Sequence, residues 1–203
     1  MKRKLLLLFY LLISISASAQ DGSNDLSFNA DQLNFGDGPD REVRFIAQQP
    51  DGKLIVTGDF ESYDGRRRVK IARLNPDGRL DESFDPGTGI GFGFAVNVVV
   101  NVMVQPDGKI IIAGDFFRYN NIVVNNIARL NADGSLDTGF NSGTGAEQEF
   151  NQGMVSTIAL QPDGKIIIQG SFDSYNGVPV KGFARLNSDG SLDSTFNPGA
   201  GSF

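Results

Sequence analysis

Gln105-Pro106-Asp107-Gly108-Lys109-Ile110-Ile111-Ile112-Ala113-Gly114-Asp115-Phe116 joins a tight turn to three consecutive isoleucines and then to a glycine. Asp-Gly favours the positive-φ geometry of a hairpin, and the lysine that follows starts a strand. Three isoleucines in a row leave no polar face, so this strand is expected to be buried on both sides, as in stacked sheets. The same words return as Gln49 to Phe60 and as Gln161 to Phe172, a spacing of 56 residues without slippage. Asp51-Gly52, Asp107-Gly108 and Asp163-Gly164 are therefore the turns of three copies of one unit.

The rest of the unit follows on either side of this stretch. Upstream, segments 43–49, 99–105 and 155–161 are rich in valine and isoleucine and read as first strands. Downstream, a connection carries Tyr63-Asp64-Gly65, Tyr119-Asn120-Asn121 or Tyr175-Asn176-Gly177, whose glycines and asparagines suit a turn. A third strand holds Ile71-Ala72-Arg73-Leu74, Ile127-Ala128-Arg129-Leu130 or Phe183-Ala184-Arg185-Leu186, read as large apolar residues on one face and Ala with Arg on the other. A second Asp-Gly turn leads to a short fourth strand with Leu80 and Phe84, Leu136 and Phe140, or Leu192 and Phe196.

Four antiparallel strands form one sheet, and one sheet alone cannot bury both faces. Radial stacking solves this, with the phenylalanines as filler, so the expected fold class is all-β, a β-propeller-like array of four-stranded antiparallel blades. A linear β-solenoid is the alternative, but its coils are shorter and lack paired hairpin turns. The units fall at 43–98, 99–154 and 155–203, after a segment at 20–42. Within that segment, residues 21–29 match the fourth strand of a unit, an orphan outer strand. Three units are fewer than the usual four to eight blades. The expectation is a partial or open propeller: a fragment, a truncated product, an open arc, or a subunit completed by self-association through its open blade edges.

Residues 1–19 pose a separate problem. Lys2, Arg3 and Lys4 precede an apolar run from Leu5 to Ile15, and Ala17-Ser18-Ala19 supplies small residues before a cleavage point. This pattern is that of a secretory signal, and the apolar run is too short to cross a bilayer. The expected location is outside the cell, with no transmembrane span in the mature chain. Removing the three positive charges of the leader takes the net charge from −6 to −9. Such a surface argues against nucleic acid as a partner, since phosphate binding needs Lys and Arg. Cysteine, histidine and tryptophan are absent, which removes disulfides, the commonest zinc ligands and histidine-dependent triads.

The run Gln105 to Phe116, continued by Ile127-Ala-Arg-Leu-Asn-Ala-Asp-Gly-Ser-Leu-Asp137, resembles the delta-60 repeat, a β-propeller repeat family of unknown function. The resemblance covers nearly all of residues 21–201. It implies a large secreted or surface-associated bacterial protein, usually with more repeats, and supplies no agreed catalytic residues. The leader looks like those of Bacteroidetes-type bacteria, whose exported proteins often carry a C-terminal sorting domain; this sequence reaches Phe203 without one.

Two constellations compete for chemical roles. Asn131, Asp133, Ser135 and Asp137 place oxygens at every second position, as do Asn187, Asp189, Ser191 and Asp193, a spacing with which calcium loops curl around a cation. The first copy has Arg79 at the matching place, and the preferred reading is a solvated turn with no cofactor. Arg73, Arg129 and Arg185 recur with Asp81, Asp137 and Asp193, which reads as a structural pair bridging the third and fourth strands. No catalytic residue is assigned, and paired acids of glycosidase type are disfavoured because equal placement in every unit does not separate their pKa values. The expected function is a surface interaction or structural module, with an extracellular protein or glycan as partner. A carbohydrate-binding or carbohydrate-active protein is the alternative.

Overall fold

The computed structural model describes residues 38–91, 98–148, 151–197 and 199. The leader at 1–19 and the orphan strand at 21–29 lie outside them. In the first unit, β1 (Val43–Gln48), β2 (Leu54–Gly58) and β5 (Ile71–Leu74) form an antiparallel sheet with β2 in the middle, and β3 (Ser62–Tyr63) with β4 (Arg66–Arg67) make a small hairpin between β2 and β5. A short strand β6 (Ile90–Gly91) leads to the second unit, whose β7 (Val98–Val104), β8 (Ile110–Asp115) and β11 (Ile127–Leu130) repeat the sheet and whose β9 (Arg118–Tyr119) and β10 (Ile122–Val123) repeat the hairpin. After β12 (Ala146–Gln148) and β13 (Asn151–Gln152), the third unit builds its sheet from β14 (Met154–Leu160), β15 (Ile166–Ser171) and β18 (Phe183–Leu186), with β16 (Ser174–Tyr175) and β17 (Val178–Pro179) as hairpin.

The turns obey the sequence, but by another geometry than a two-residue hairpin. Gly52 N donates to Gln49 O at 2.9 Å and Gln49 N to Lys53 O at 2.8 Å, and of the Asp-Gly pair only the glycine has positive φ, +84°. This is a turn closed by a glycine bulge, the three-residue hairpin type. Asp51, Asp107 and Asp163 each accept the amide of the lysine two residues on, at 3.1 Å. A second bulge interrupts the first strand in each unit, between Val43 and Phe45, Val99 and Asn101, and Val155 and Thr157. It explains the glycine that ends the second strand: a Cβ on Gly170 would lie 1.9 Å from Met154 O.

Two expectations are corrected. The fourth strand is reduced to single bridges, Leu74 to Leu80, Leu130 to Leu136 and Leu186 to Leu192, so that the sheets are three-stranded. Beyond each bridge the chain turns at once, with Phe84 N donating to Asp81 O at 3.2 Å, which ends the pairing. The third strand also faces differently: side chains two apart share a face, so Ile71 lies with Arg73, and Ala72 with Leu74. Leu74 cannot join Ile71, three positions away.

The faces pair by one rule. Ile55, Ile71 and Phe84 of the first unit pack with Val102, Ile112, Ala128 and Leu130 of the second. Ile111, Ile127 and Phe140 of the second pack in turn with Ile158, Ile168, Ala184 and Leu186 of the third. Ile110, Ile111 and Ile112 are all inaccessible to solvent, as the unbroken isoleucine run requires. The glycine-rich links carry the chain onward to the next hairpin: β6 pairs with β9, and β12 with β16. Gly143, at φ +59°, lies against Asn176, where any Cβ would collide.

Candidate functional site

Arg73, Arg129 and Arg185 do meet Asp81, Asp137 and Asp193, in a larger constellation than a pair. Arg129 Nε donates to Asp137 Oδ2 at 2.6 Å, and Lys109 Nζ to the same oxygen at 2.7 Å. The other carboxylate oxygen accepts Gly139 N at 2.9 Å, and the guanidinium lies 5.0 Å from the centre of the Phe140 ring. In the first unit the partners are Lys53, Ser83 and Phe84, and in the third Lys165, Thr195 and Phe196. Each aspartate thus has two cations on one oxygen and local donors on the other, an arrangement that satisfies a buried carboxylate.

The electrostatics follow. Burial alone would raise the Asp137 carboxyl, but Lys109, the Gly139 amide and Arg129 hold it at about 2. In Asp81 the same opposition, with Lys53, Ser83 and Arg73 outweighing burial, keeps the group well below the usual range. Asp193 is lowered by Lys165 and Thr195 against burial, with Arg185 adding to them. These carboxylates are ionised at neutral pH and already fully coordinated, which suits fastening and not proton transfer.

The arginines also reach beyond their own unit. Arg73 Nη1 donates to Ala132 O, and Arg129 Nη1 to Ser188 O at 2.5 Å, both in the second turn of the following unit. Beside them Asp85 N donates to Asp133 O at 2.8 Å and Asn141 N to Asp189 O at 2.6 Å. Tyr119 and Tyr175 tie hairpin to turn, donating to Gly134 O at 2.5 Å and Gly190 O at 2.9 Å. Sequence reasoning found the Arg–Asp pair but missed the lysine, although Lys53, Lys109 and Lys165 recur as faithfully as the arginines.

The calcium candidates are used within their own turns. Ser135 donates its amide and hydroxyl to Asp133 Oδ1 at 2.9 and 2.7 Å, and accepts Asn131 Nδ2 at 2.9 Å. Asn187, Ser191 and Asp189 repeat this. The fourth members, Asp137 and Asp193, are turned to Arg and Lys. Among the described residues no group of three or more acidic side chains is gathered for a metal.

Differences between units lie elsewhere. Asp59 is held by Arg44 at 2.7 Å with Lys70 at 3.9 Å; 56 and 112 residues on, the sequence has Val100 and Ser156 for Arg44, Asn126 and Gly182 for Lys70, and Asp115 and Ser171 for Asp59. Burial raises the Asp115 carboxyl. The hairpins diverge most: exposed Arg66-Arg67 becomes Ile122-Val123 and then Val178-Pro179. Between the second and third units a groove of about 610 Å³ is lined by Gln105, Pro106, Asp107, Leu160 and Gln161. Oε1 of both glutamines is buried without a hydrogen-bond partner.

A family model described as a domain of unknown function (DUF5122), β-propeller, matches residues 49–84, 105–140 and 161–196. The chain belongs to the DUF5122 β-propeller family. Each matched segment runs from the glutamine before the first turn to the phenylalanine under the arginine, so the DUF5122 unit contains every member of the fastening. The first strands and the links are outside the matched segments, whereas the divergent hairpins lie within them. No curated protein matches the chain.

Proposed function

We propose that this DUF5122 chain is an exported, surface-associated interaction and structural module of delta-60 type. In this reading the sheets are blades of a propeller, and the hairpins inserted in them meet the partner. The observation that carries the reading is the contrast between units. Lys, Arg, Asp and Phe of the fastening are the same in all three, while the hairpin tips change from paired arginines to exposed apolar pairs, with Ile122 49% accessible. A scaffold is held constant and a surface is varied, which is how repeat arrays present binding faces. Export is supported by the basic, apolar and small-residue succession of residues 1–19. No catalytic step is part of the reading, because the three lowered carboxylates are equivalent and each is held by two cations.

The groove between the second and third units favours a second reading, a glycan site on the turn face, since its turn carboxylates Asp107 and Asp189 suit hydroxyl donors and Pro106 and Pro162 give a sugar ring an apolar wall. Two experiments separate the two. Glycan-array binding by the intact chain, lost in Asp107→Ala/Pro162→Ala, supports the glycan site. Binding to a protein surface layer that is lost when residues 117–126 are exchanged for their first-unit counterparts supports the hairpins. An intact chain that binds neither overturns both.

A further inference from the structure

Where the second unit's hairpin meets the link to the third, a pocket of about 240 Å³ is lined by Phe117, Asn126, Thr144 and Glu147 among others. Asn126 is only 2% accessible, and its Nδ2 donates to Ala146 O at 2.8 Å, which fixes the end of the amide that is oxygen. That oxygen, Oδ1, is enclosed without a hydrogen-bond partner, a cost that a donor in the pocket would remove. Glu147 stands half-buried on β12, where its Oε2 accepts the Ser174 hydroxyl at 3.1 Å and the Gly177 amide at 3.2 Å. Its Oε1 accepts nothing, and no cation pairs with the carboxylate among the described residues.

The preceding junction shows what has been exchanged. Asn126 stands where the first unit has Lys70, and both hold the left-handed backbone, at φ +72° and +64°. Glu147 stands where the first link has Gly91. The first junction thus carries its own ammonium, Lys70 Nζ 3.9 Å from Asp59, and no acid on the link. In the second the acid is present and the ammonium is gone. Phe117 replaces Glu61 and gives the pocket an apolar wall. The volume is below the ~300 Å³ at which pockets for whole small molecules begin, a size for the end of a side chain.

We infer that this pocket receives a lysine side chain of a partner protein, its ammonium between Glu147 Oε1 and Asn126 Oδ1 and its methylene stem along Phe117. The inference rests on the hairpin reading above and gives the partner's chemistry. Phe117 leads into β9, and Glu147 holds the turn between β16 and β17 through Ser174 and Gly177, so the pocket belongs to the hairpin surface. An ammonium is a point charge with three donors, and one free carboxylate oxygen with one amide oxygen suits it. The planar fork of an arginine asks for both carboxylate oxygens, and here one is taken. A single carboxylate is also too little charge for a calcium site.

The test follows the Asn126 side-chain amide by NMR as the intact chain is titrated with Nα-acetyl-lysine methylamide. The Nε-acetylated form serves as the neutral control, and calcium chloride as the alternative cation. A saturable shift is expected with the lysine compound and with neither of the others. Glu147→Gln is expected to weaken binding about tenfold or more, read from the remaining hairpin amides. Asn126→Lys, which restores the ammonium of the first junction, is expected to abolish it. Melting temperatures confirm that both variants fold, and Glu147→Gln alone decides if Asn126→Lys does not. No shift with lysine, an equal shift with its acetylated form, a response to calcium instead, or full binding by Glu147→Gln overturns the inference. Exchange of the tip residues 120–123 alone is expected to leave the lysine response as in the parent. Surface-layer binding that is lost in that exchange, by a parent chain that ignores lysine, overturns this inference and leaves the hairpin reading standing.

Discussion

Arg129 donates through Nη1 to the carbonyl oxygen of Ser188, 2.5 Å away and 59 residues later in the chain. That separation exceeds one repeat by three residues, so a single guanidinium is anchored in its own unit through Asp137 and in the next through main chain. Arg129→Met removes both attachments and leaves Asp137 with Lys109 as its one cation and the Gly139 amide on its other oxygen. Breaking a buried pair of this kind costs about 3–5 kcal/mol. Arg185→Met, at a half-buried position with no cross-unit bond among the described residues, is expected to cost clearly less. Urea unfolding of both variants in dilute solution checks the order.

Acid should loosen all three units together. A carboxyl held below its unfolded value, about 3.9, adds stability above that pH and loses it as the pH falls through the folded value. With Asp137 at about 2 and Asp81 and Asp193 also lowered, the melting temperature is expected to be flat from about pH 7 to pH 5 and to fall between about pH 4 and pH 2. Asp137→Asn should be less stable at neutral pH and show a shallower acid slope. Thermal melts across that range decide it.

Two glycines separate collision from backbone strain. Gly170→Ala drives a Cβ against Met154 O in the bulge and is expected to cost about 1–3 kcal/mol or more. Gly177→Ala meets nothing within 4 Å but must keep φ +71°, for a cost of about 1–2 kcal/mol. Equal losses in the two variants would show that the bulge relaxes around the added methyl.

Chelation should leave the melting temperature unchanged, because Asp133 is held by Ser135 and Asp137 by Arg129 and Lys109. A fall on adding chelator, restored by calcium, would show that these turns rearrange around the ion.

The repeat made much of this fold legible. Gln105 to Lys109 marked the first hairpin, and the isoleucine run at 110–112 announced a strand enclosed on both sides. What escaped were features that depend on one bond more or less. Leu80 was read as opening a strand, yet Asp81 turns its carboxylate to Arg73 and Lys53, and the chain leaves the sheet after a single bridge. Ile71 and Leu74 were placed together by size, although the two-residue pleat parts them. At the site, the Arg–Asp pair was readable because both members are side chains that recur. The cross-unit half was not, since its acceptor is a peptide oxygen and leaves no mark on residue type.

That last property reaches past a single molecule. The socket into which Arg73 and Arg129 fit is main chain, and the residue that supplies it is Ala132 or Ser188 in turn. A joint of this kind places no demand on the identity of the residue at its receiving side. A duplicated unit fits beside its parent on the day it arises, with no compensating substitution, and later drift at the socket cannot undo the fit. Arrays assembled this way can lengthen, shorten or exchange members by recombination while the surface loops diverge.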